Sequence, residues 1–522
     1  MKTVRTFAVA LCAILPTFVL AADVTPTPAA GGLRLPAIFS DNMVLQAGVP
    51  VPVWGWAAPG ESVTISVAGQ SVTAKADAQG KWKAMLAPLQ VADNLTFTAK
   101  GASATWTAAN VLVGEVWLAS GQSNMAMPKS HDDRLAGVTT PAPENRQLRL
   151  FMIRQLKESD VPLEDLFISD KERRGRWMIA DAKTVPDFSA AGYYFGRDLQ
   201  AALNRPVGVI QTAIGGVPAQ TYVNRAVLSA DPELKVFVER SEKQWQETQQ
   251  RAADFVKNEP ALLKHYEADA AKAVAEGKKP PTKPMRPKVE MNPAWAGLAY
   301  NSRIAPIIPY AIKGVVWYQG ESNSAGEYRP LFPALIQSWR KEWGQRDFPF
   351  LFVQITYQDG KFREVQQQIT KTVPNTGMAV ISDMGMRGDP AHPHDKAPVG
   401  ARLALAARAL AYGEKTEGSG PVYESVKFAG PKAIVSFSHV GGGLVARHGT
   451  LKGFQLAGAD KKFAVAKAEI VGDTVEVTSD QVPAPVAVRY GFLDRPTNEE
   501  VIANGCRKLA RDHLQALPGT RH

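Results

Sequence analysis

The sequence predicts an α/β protein: a three-layer α/β/α sandwich with a mostly parallel sheet, interrupted by a small β-sandwich and followed by a β-rich C-terminal unit. Three observations lead there. Short apolar, β-rich runs at 111–120, 314–318 and 378–385 each lead into a polar turn, as buried parallel strands do. Helical spacing at 188–204 and 331–343 feeds the apolar runs 207–210 and 348–355, and helices alternating with buried strands cover both faces of a parallel sheet. By contrast 51–105 alternates apolar and polar residues between glycine turns, and β-type runs return at 434–437, 467–471, 475–478 and 486–490.

Taken in order, residues 1–21 carry Lys2 and Arg5, the apolar stretch 7–15 and Val19-Leu20-Ala21 before Ala22, the pattern of a cleaved export signal. The alternative, a lipoprotein signal at Cys12, has Leu11 where a small residue is required. The α/β domain occupies 33–48 and resumes over 106–425, with the β-sandwich inserted at 49–105. Residues 228–293 form a charged helical insertion, broken by the four prolines of 278–288. The C-terminal β-rich unit spans 426–495, and the basic tail 496–522 has no assigned structure.

The 522 residues contain two cysteines. Removal of the signal leaves Cys506 alone, so stability must come from core size, which this length supplies for two or three domains. A secreted chain without disulfides fits a periplasmic or secreted bacterial protein, with a Gram-negative host expected. The net charge of +10, from 60 basic and 50 acidic residues, drops by two with the signal and is no nucleic-acid footprint. The basic runs 171–176 and 278–288 are interrupted by Glu, Gly or Pro and read as solvated loops. No stretch after the signal is long and apolar enough to span a bilayer.

Chemistry concentrates where the strands end. Gly121-Gln122-Ser123-Asn124-Met125 delivers a serine on a sharp turn after the first strand; Gln319-Gly320-Glu321-Ser322-Asn323 follows the second; Asp389-Pro390-Ala391-His392-Pro393-His394 follows the third. Open α/β sheets place ligands at this end. Together these supply a nucleophile, polar donors, a base and a base-orienting carboxylate, the parts of acyl-transfer chemistry. The scattered histidines and missing cysteine cluster give no support to a metal site, and the chemistry requires no cofactor.

The blocks Gly121–Met125, Trp317-Tyr318-Gln319-Gly320-Glu321-Ser322 and Asp389-x-x-His392-Pro393 resemble those of SGNH-type carbohydrate esterases, more narrowly the sialate O-acetylesterase-like acetylesterases. The resemblance extends through 39–46, 188–197, 206–211, 300–306 and 451–454, most of the chain past the signal. It implies an SGNH-hydrolase-like fold and removal of O-acetyl groups from carbohydrate through an acetyl-serine, on xyloglucan, xylan or sialic acid. The partner is then an acetylated oligosaccharide or polysaccharide.

Ser123 is the candidate nucleophile, because an unassisted hydroxyl requires a base. His392 is the candidate base, favoured over His394 by the family block. Asp389 is the candidate orienting carboxylate and Asp383 its rival. Oxyanion donors are the Ser123 backbone N–H, the Gly215-Gly216 backbone and, following the family pattern, the Gln319 amide; a plain turn role for the glycine pair stays open. Gln122, Asn124 and Glu321 brace the site, Glu321 by fixing the Gln319 loop. Trp317, Tyr318 and Tyr328 either stack on sugar rings or fill core. Two other readings remain: a short-chain esterase, lipase or thioesterase of the same type, and a non-catalytic glycan-binding module. After the glycine pair, Val217–Tyr222 departs from the family pattern, in which a tryptophan closes this segment.

Overall fold

The computed structural model describes residues 32–102, 104–137, 141–153, 158–166, 175–384, 388–389, 391–446, 451–492 and 502–504, with backbone alone at 388–389 and 502–504. The proposed export signal, most of the basic run 171–176 and most of the tail lie outside them.

The chain opens with β1 (Val44–Gln46) and five antiparallel strands: β2 (Val51–Trp56), β3 (Ser62–Val67), β4 (Gln70–Lys75), β5 (Lys81–Leu86) and β6 (Ala92–Lys100). Next comes β7 (Thr105–Gly121), seventeen residues long. The sequence marked only its apolar second half. Its first half pairs antiparallel with β6, its middle runs parallel to β1, and its last residues pair parallel with two strands of the central sheet. One strand therefore serves both the inserted β unit and the α/β layer.

After β7 come α1 (Ser123–Ala126), α2 (Lys129–Ala136), β8 (Asn145–Met152), β9 (Trp177–Ala180), α3 (Ala190–Leu203) and β10 (Val207–Gln211). They are followed by α4 (Arg225–Ala230), α5 (Lys235–Ala275), β11 (Gly314–Tyr318), α6 (Ala325–Trp343), β12 (Phe350–Gln354), α7 (Gly360–Thr372) and β13 (Thr376–Val380). The central sheet has the order β13-β12-β11-β7-β10-β8-β9 and is parallel except for the edge strand β9. Register aligns Trp117 with Gly314 and Ser120 with Trp317, so the two tryptophans face opposite sides. Trp117 meets Phe195 of α3, and Trp317 meets Phe332 and Trp339 of α6. Helices thus lie on both faces.

Helix α6 begins six residues before the predicted 331. Pro330 and Pro333 argue against helix there, yet Ser324 and Glu327 form a reciprocal capping box and Gly344 closes the far end in the left-handed region. The run read as strand 378–385 stops at Val380 and gives way to a short turn at Ser382–Met384.

The charged insertion is dominated by α5, which buries Phe237, Val238, Ser241 and Ala252. Beyond it a proline-rich arm without helix or strand returns to Trp295, whose Nε1 donates to Gln244 Oε1 at 2.6 Å and whose ring meets Trp245 at 5.7 Å. The lengths match: 31 helical residues rise about 46 Å, and fifteen in an extended proline-type conformation span about 47 Å.

A two-residue ladder, β14 (Gly388–Asp389) with β15 (His392–Pro393), precedes α8 (Ala397–Tyr412). The chain then becomes β-rich through β16 (Val422–Ala429), β17 (Lys432–Ser438), β18 (Leu444–Ala446), β19 (Phe454–Ala457), β20 (Phe463–Val465), β21 (Lys467–Val471), β22 (Thr474–Thr478), β23 (Ala487–Tyr490) and β24 (Ile502–Asn504). Val435, Phe454, Leu456, Val475 and Val477 form a separate core there. Among the described residues no helix is long and apolar enough to cross a membrane.

Helices α3 and α8 approach backbone to backbone at Gly400, where a Cβ would lie 2.5 Å from the Phe195 nitrogen and 2.5 Å from Tyr194 Cβ. Gly400→Val must push these helices apart, and a loss of about 3 kcal/mol is expected, read as a lowered urea midpoint.

Candidate active site

At the C-terminal edge of the sheet β7 and β11 end level, Tyr318 aligned with Gly121. Gly121 has φ +133°, and a Cβ there would lie 2.2 Å from the Tyr318 carbonyl oxygen; only glycine fits. Its own carbonyl accepts from Tyr222 Oη at 2.9 Å and Ile214 N at 3.2 Å, while Gln122 N donates to Tyr318 O at 2.9 Å. The chain is thereby turned so that Ser123 opens α1, where first-turn N–H groups have no intrahelical acceptor.

Ser123 Oγ lies 2.8 Å from His392 Nε2, and both residues are half-buried. The two are 269 positions apart in the chain. Backbone pairing sets Asp389 opposite His392 in the β14–β15 ladder; the side chain of Asp389 lies outside the described atoms. The rival Asp383 is held by Arg402 in a two-pronged ion pair, both contacts 2.6 Å.

Behind the serine, Asn124 is fully buried and saturated. Its Nδ2 donates to Glu321 Oε1 at 2.6 Å and Ala391 O at 2.8 Å, and its Oδ1 accepts from Lys396 Nζ at 2.6 Å. Asn124 thus joins the turn of Ser123 to the loop carrying His392. The expected role of Glu321 is corrected here: its carboxylate reaches Asn124, while Asn323 holds the Gln319 loop. Asn323 Oδ1 accepts from Gln319 Nε2 at 2.9 Å and Ala219 N at 2.8 Å, and its Nδ2 donates to Gln220 Oε1 at 3.0 Å. One of the two Gln319 amide hydrogens is used in this way; the other has no partner among the described residues.

Gly215 sits in an exposed turn beside the nucleophile, its ideal Cβ position 3.9 Å from Ser123 Cβ. Gly216 has φ +72° and nothing near its Cβ position, so it serves the turn. Gln122 is buried, with its Oε1 lacking a partner among the described residues. Trp317, Tyr318 and Tyr328 are each at most 1% exposed. Trp317 Nε1 donates to Tyr328 Oη at 3.1 Å, and Tyr328 Oη donates to Gln319 O at 3.3 Å. These rings are core and cannot stack on a sugar, which corrects the substrate alternative for Tyr318.

Burial also sets the charges. It raises the Glu321 carboxyl above the usual carboxylate range, against the hydrogen bond from Asn124 and the attraction of Lys396 and His392. It raises Asp132 likewise and pulls the Lys396 ammonium down to about 8, against the attraction of Asp132 and Glu321. Asp132 and Lys396 carried no sequence signal: a lysine before a helix reads as solvated.

A serine hydroxyl hydrogen-bonded to an imidazole is the pairing that activation of a hydroxyl nucleophile requires. A family model described as carbohydrate esterase, sialic acid-specific acetylesterase, matches residues 297–410. A carbohydrate acetylesterase of known structure from Xanthomonas citri is 32% identical, with a TM-score of 0.71 over 91% of this chain and 97% of that one. Sialate O-acetylesterases of Mus musculus and Homo sapiens are 28% identical over 452 and 461 residues, covering 78% of this chain and 79% and 77% of theirs.

Because a side chain at 121 collides with backbone, Gly121→Ala is expected to displace Ser123. Its phosphorylation by diisopropyl fluorophosphate should slow about a hundredfold, measured by mass spectrometry against wild type.

Proposed function

Since the chain belongs to the carbohydrate acetylesterases of sialate O-acetylesterase type, we propose that this carbohydrate O-acetylesterase works through an acetyl-Ser123 intermediate on a sheet of SGNH-hydrolase type. The 2.8 Å contact between Ser123 Oγ and His392 Nε2 carries the reading. As Oγ attacks the acetyl carbonyl, its proton passes to Nε2, and Asp389 stabilises the imidazolium. The tetrahedral oxygen takes hydrogen bonds from the Ser123 and Gly215 N–H groups and the unused Gln319 amide hydrogen. As the acyl C–O bond breaks, His392 returns the proton to the departing sugar oxygen, which leaves as a hydroxyl. A water molecule, deprotonated by His392, then attacks the acetyl-serine and releases acetate and the free serine.

In this scheme Gln122, Asn124 and Glu321 hold the reacting groups and touch no substrate. Substrates proposed are acetylated plant cell-wall glycans, xyloglucan or xylan, and O-acetylated sialic acid; the chemistry at the serine is common to all of them. The signal-like residues 1–21 support a periplasmic or secreted location.

Acetate release from each glycan and from p-nitrophenyl acetate tests this. Ser123→Ala is expected to abolish release from every substrate the wild type cleaves. Turnover of the aryl ester alone would favour the short-chain esterase, and release that persists without the serine hydroxyl would remove the mechanism. Asp389→Asn is expected to lower kcat about 10³- to 10⁴-fold, whereas Asp383→Asn, whose partner is Arg402, should leave it within about tenfold. Reversal of that order would move the orienting role to Asp383.

A further inference from the structure

Lys396 is the residue just before α8, and its side chain is completely buried. An ammonium removed from water costs several kcal/mol unless its surroundings compensate, so its place needs a reason. Nζ donates to Asn124 Oδ1 at 2.6 Å and to Pro393 O at 2.5 Å, and lies 5.3 Å from the centre of the Tyr318 ring. Its backbone N–H donates to Asp132 Oδ2 of α2 at 2.8 Å. Asn124 in turn donates to Ala391 O. The carbonyls immediately before and after His392 are thus both taken up by one buried assembly, anchored on the residue next to Ser123.

We propose that Lys396 is a positioning residue of the deacetylation site, its ammonium acting with Asn124 to clamp the backbone on either side of His392 so that Nε2 stays in reach of Ser123 Oγ. The proposal rests on the reading of Ser123 and His392 as nucleophile and base. It does not place Lys396 against substrate. Besides the clamp, β15 pairs with β14 over two residues, and an ångström of drift in the base is enough to cost about two orders of magnitude in rate.

The charge on the lysine gives a second signature. Facing it are Asp132 from α2, Tyr318 and Glu321 from β11 and the following loop, and Asp395 from its own loop. Burial brings the ammonium down to about 8, so above that pH the donor becomes a neutral amine with weaker hydrogen bonds and no attraction to the carboxylates. Stability moves the other way. Between about 8 and the ordinary lysine value the unfolded chain holds the proton that the folded chain has lost, so this group adds to stability as pH rises. A loss of turnover from this source is therefore not alkaline unfolding.

The test measures kcat and KM for p-nitrophenyl acetate, with melting temperature, from about pH 6.5 to 9.5 in wild type, Ser123→Ala, Lys396→Met, Asn124→Ala and the double variant. Lys396→Met is expected to lower kcat about a hundredfold with KM within about threefold. The wild-type fall in kcat above pH 8, about three- to tenfold, should be absent from it. The double variant should be no worse than the poorer single, because both break one link. Wild-type kcat in Lys396→Met, or an unchanged alkaline limb in that variant, would overturn the proposal while Ser123→Ala is dead. Activity in Ser123→Ala would overturn the underlying reading instead. If Lys396→Met does not fold, Asn124→Ala decides: it too must lower kcat at constant KM and lose the alkaline limb, and failure to do so is fatal.

Discussion

Everything at the reactive end of the molecule depends on the close approach of two parallel strands at Gly121. A residue with a Cβ would strike the Tyr318 carbonyl, so β7 and β11 run side by side to their last residues only because this one has none. Two other segments then meet the turn at one peptide: Gln122 N bonds to Tyr318 O at the end of β11, and the Gly121 carbonyl takes hydrogens from Ile214 and Tyr222 of the β10–α4 connection. The serine that follows is placed by these contacts, two from backbone and one from the Tyr222 hydroxyl. Parallel register does the rest, since strands ending at the same level present their following loops to one another.

The candidate site holds more charge than the proposed reaction needs. Glu321, Asp132 and Lys396 are drawn out of water together, and Glu321 Oε2 and Asp132 Oδ1 have no hydrogen-bond partner among the described residues. Such a cluster is a poor source of stability, because desolvation offsets most of the mutual attraction. What it supplies is direction. Asn124 has both amide hydrogens and its oxygen committed, and a saturated polar group of this kind has one orientation where an apolar residue would have several. The cost in stability fixes the distance between two residues 269 positions apart.

The segments that meet at the serine were legible in the sequence because each follows an apolar strand, and periodicity locates such strand ends at the C-terminal edge of an open sheet; the choice of His392 over His394 came from the family block instead. The α/β order was legible for the same reason. Residues acting one shell further out were not. Lys396 and Asp132 are charged residues on helix-type segments and follow the statistics of solvated surface, while Asn323 is one more polar turn residue. Nothing local marks them, because their burial is created by loops distant in the chain. Trp317 and Tyr328 illustrate the converse: an aromatic next to a polar motif suits a sugar platform and a core equally, and only packing on Phe332 decides for the core.

The inserted β unit is tied to catalysis more tightly than its separate pattern suggests. Phe39 packs on Trp54 and Phe97 of the β unit at 5.0 and 6.1 Å and on Tyr310 at 5.4 Å, and Tyr310 Oη donates to the carbonyl of Val44 in β1. Arg149 on β8 is fully buried, with no carboxylate paired to it among the described residues; its guanidinium donates to Asn42, Asn110 and the Arg146 carbonyl, and burial lowers it to about 10. Such a group persists only where geometry matters more than stability. It fastens the first half of β7 to the sheet whose edge holds Ser123. Since β7 is continuous from Thr105 to Gly121, any shift of the β unit along that strand is carried to the nucleophile turn. The C-terminal unit, with its own core, meets the α/β layer through contacts such as Arg363 with the Gly491 carbonyl and, among the described residues, has no comparable hold on the serine.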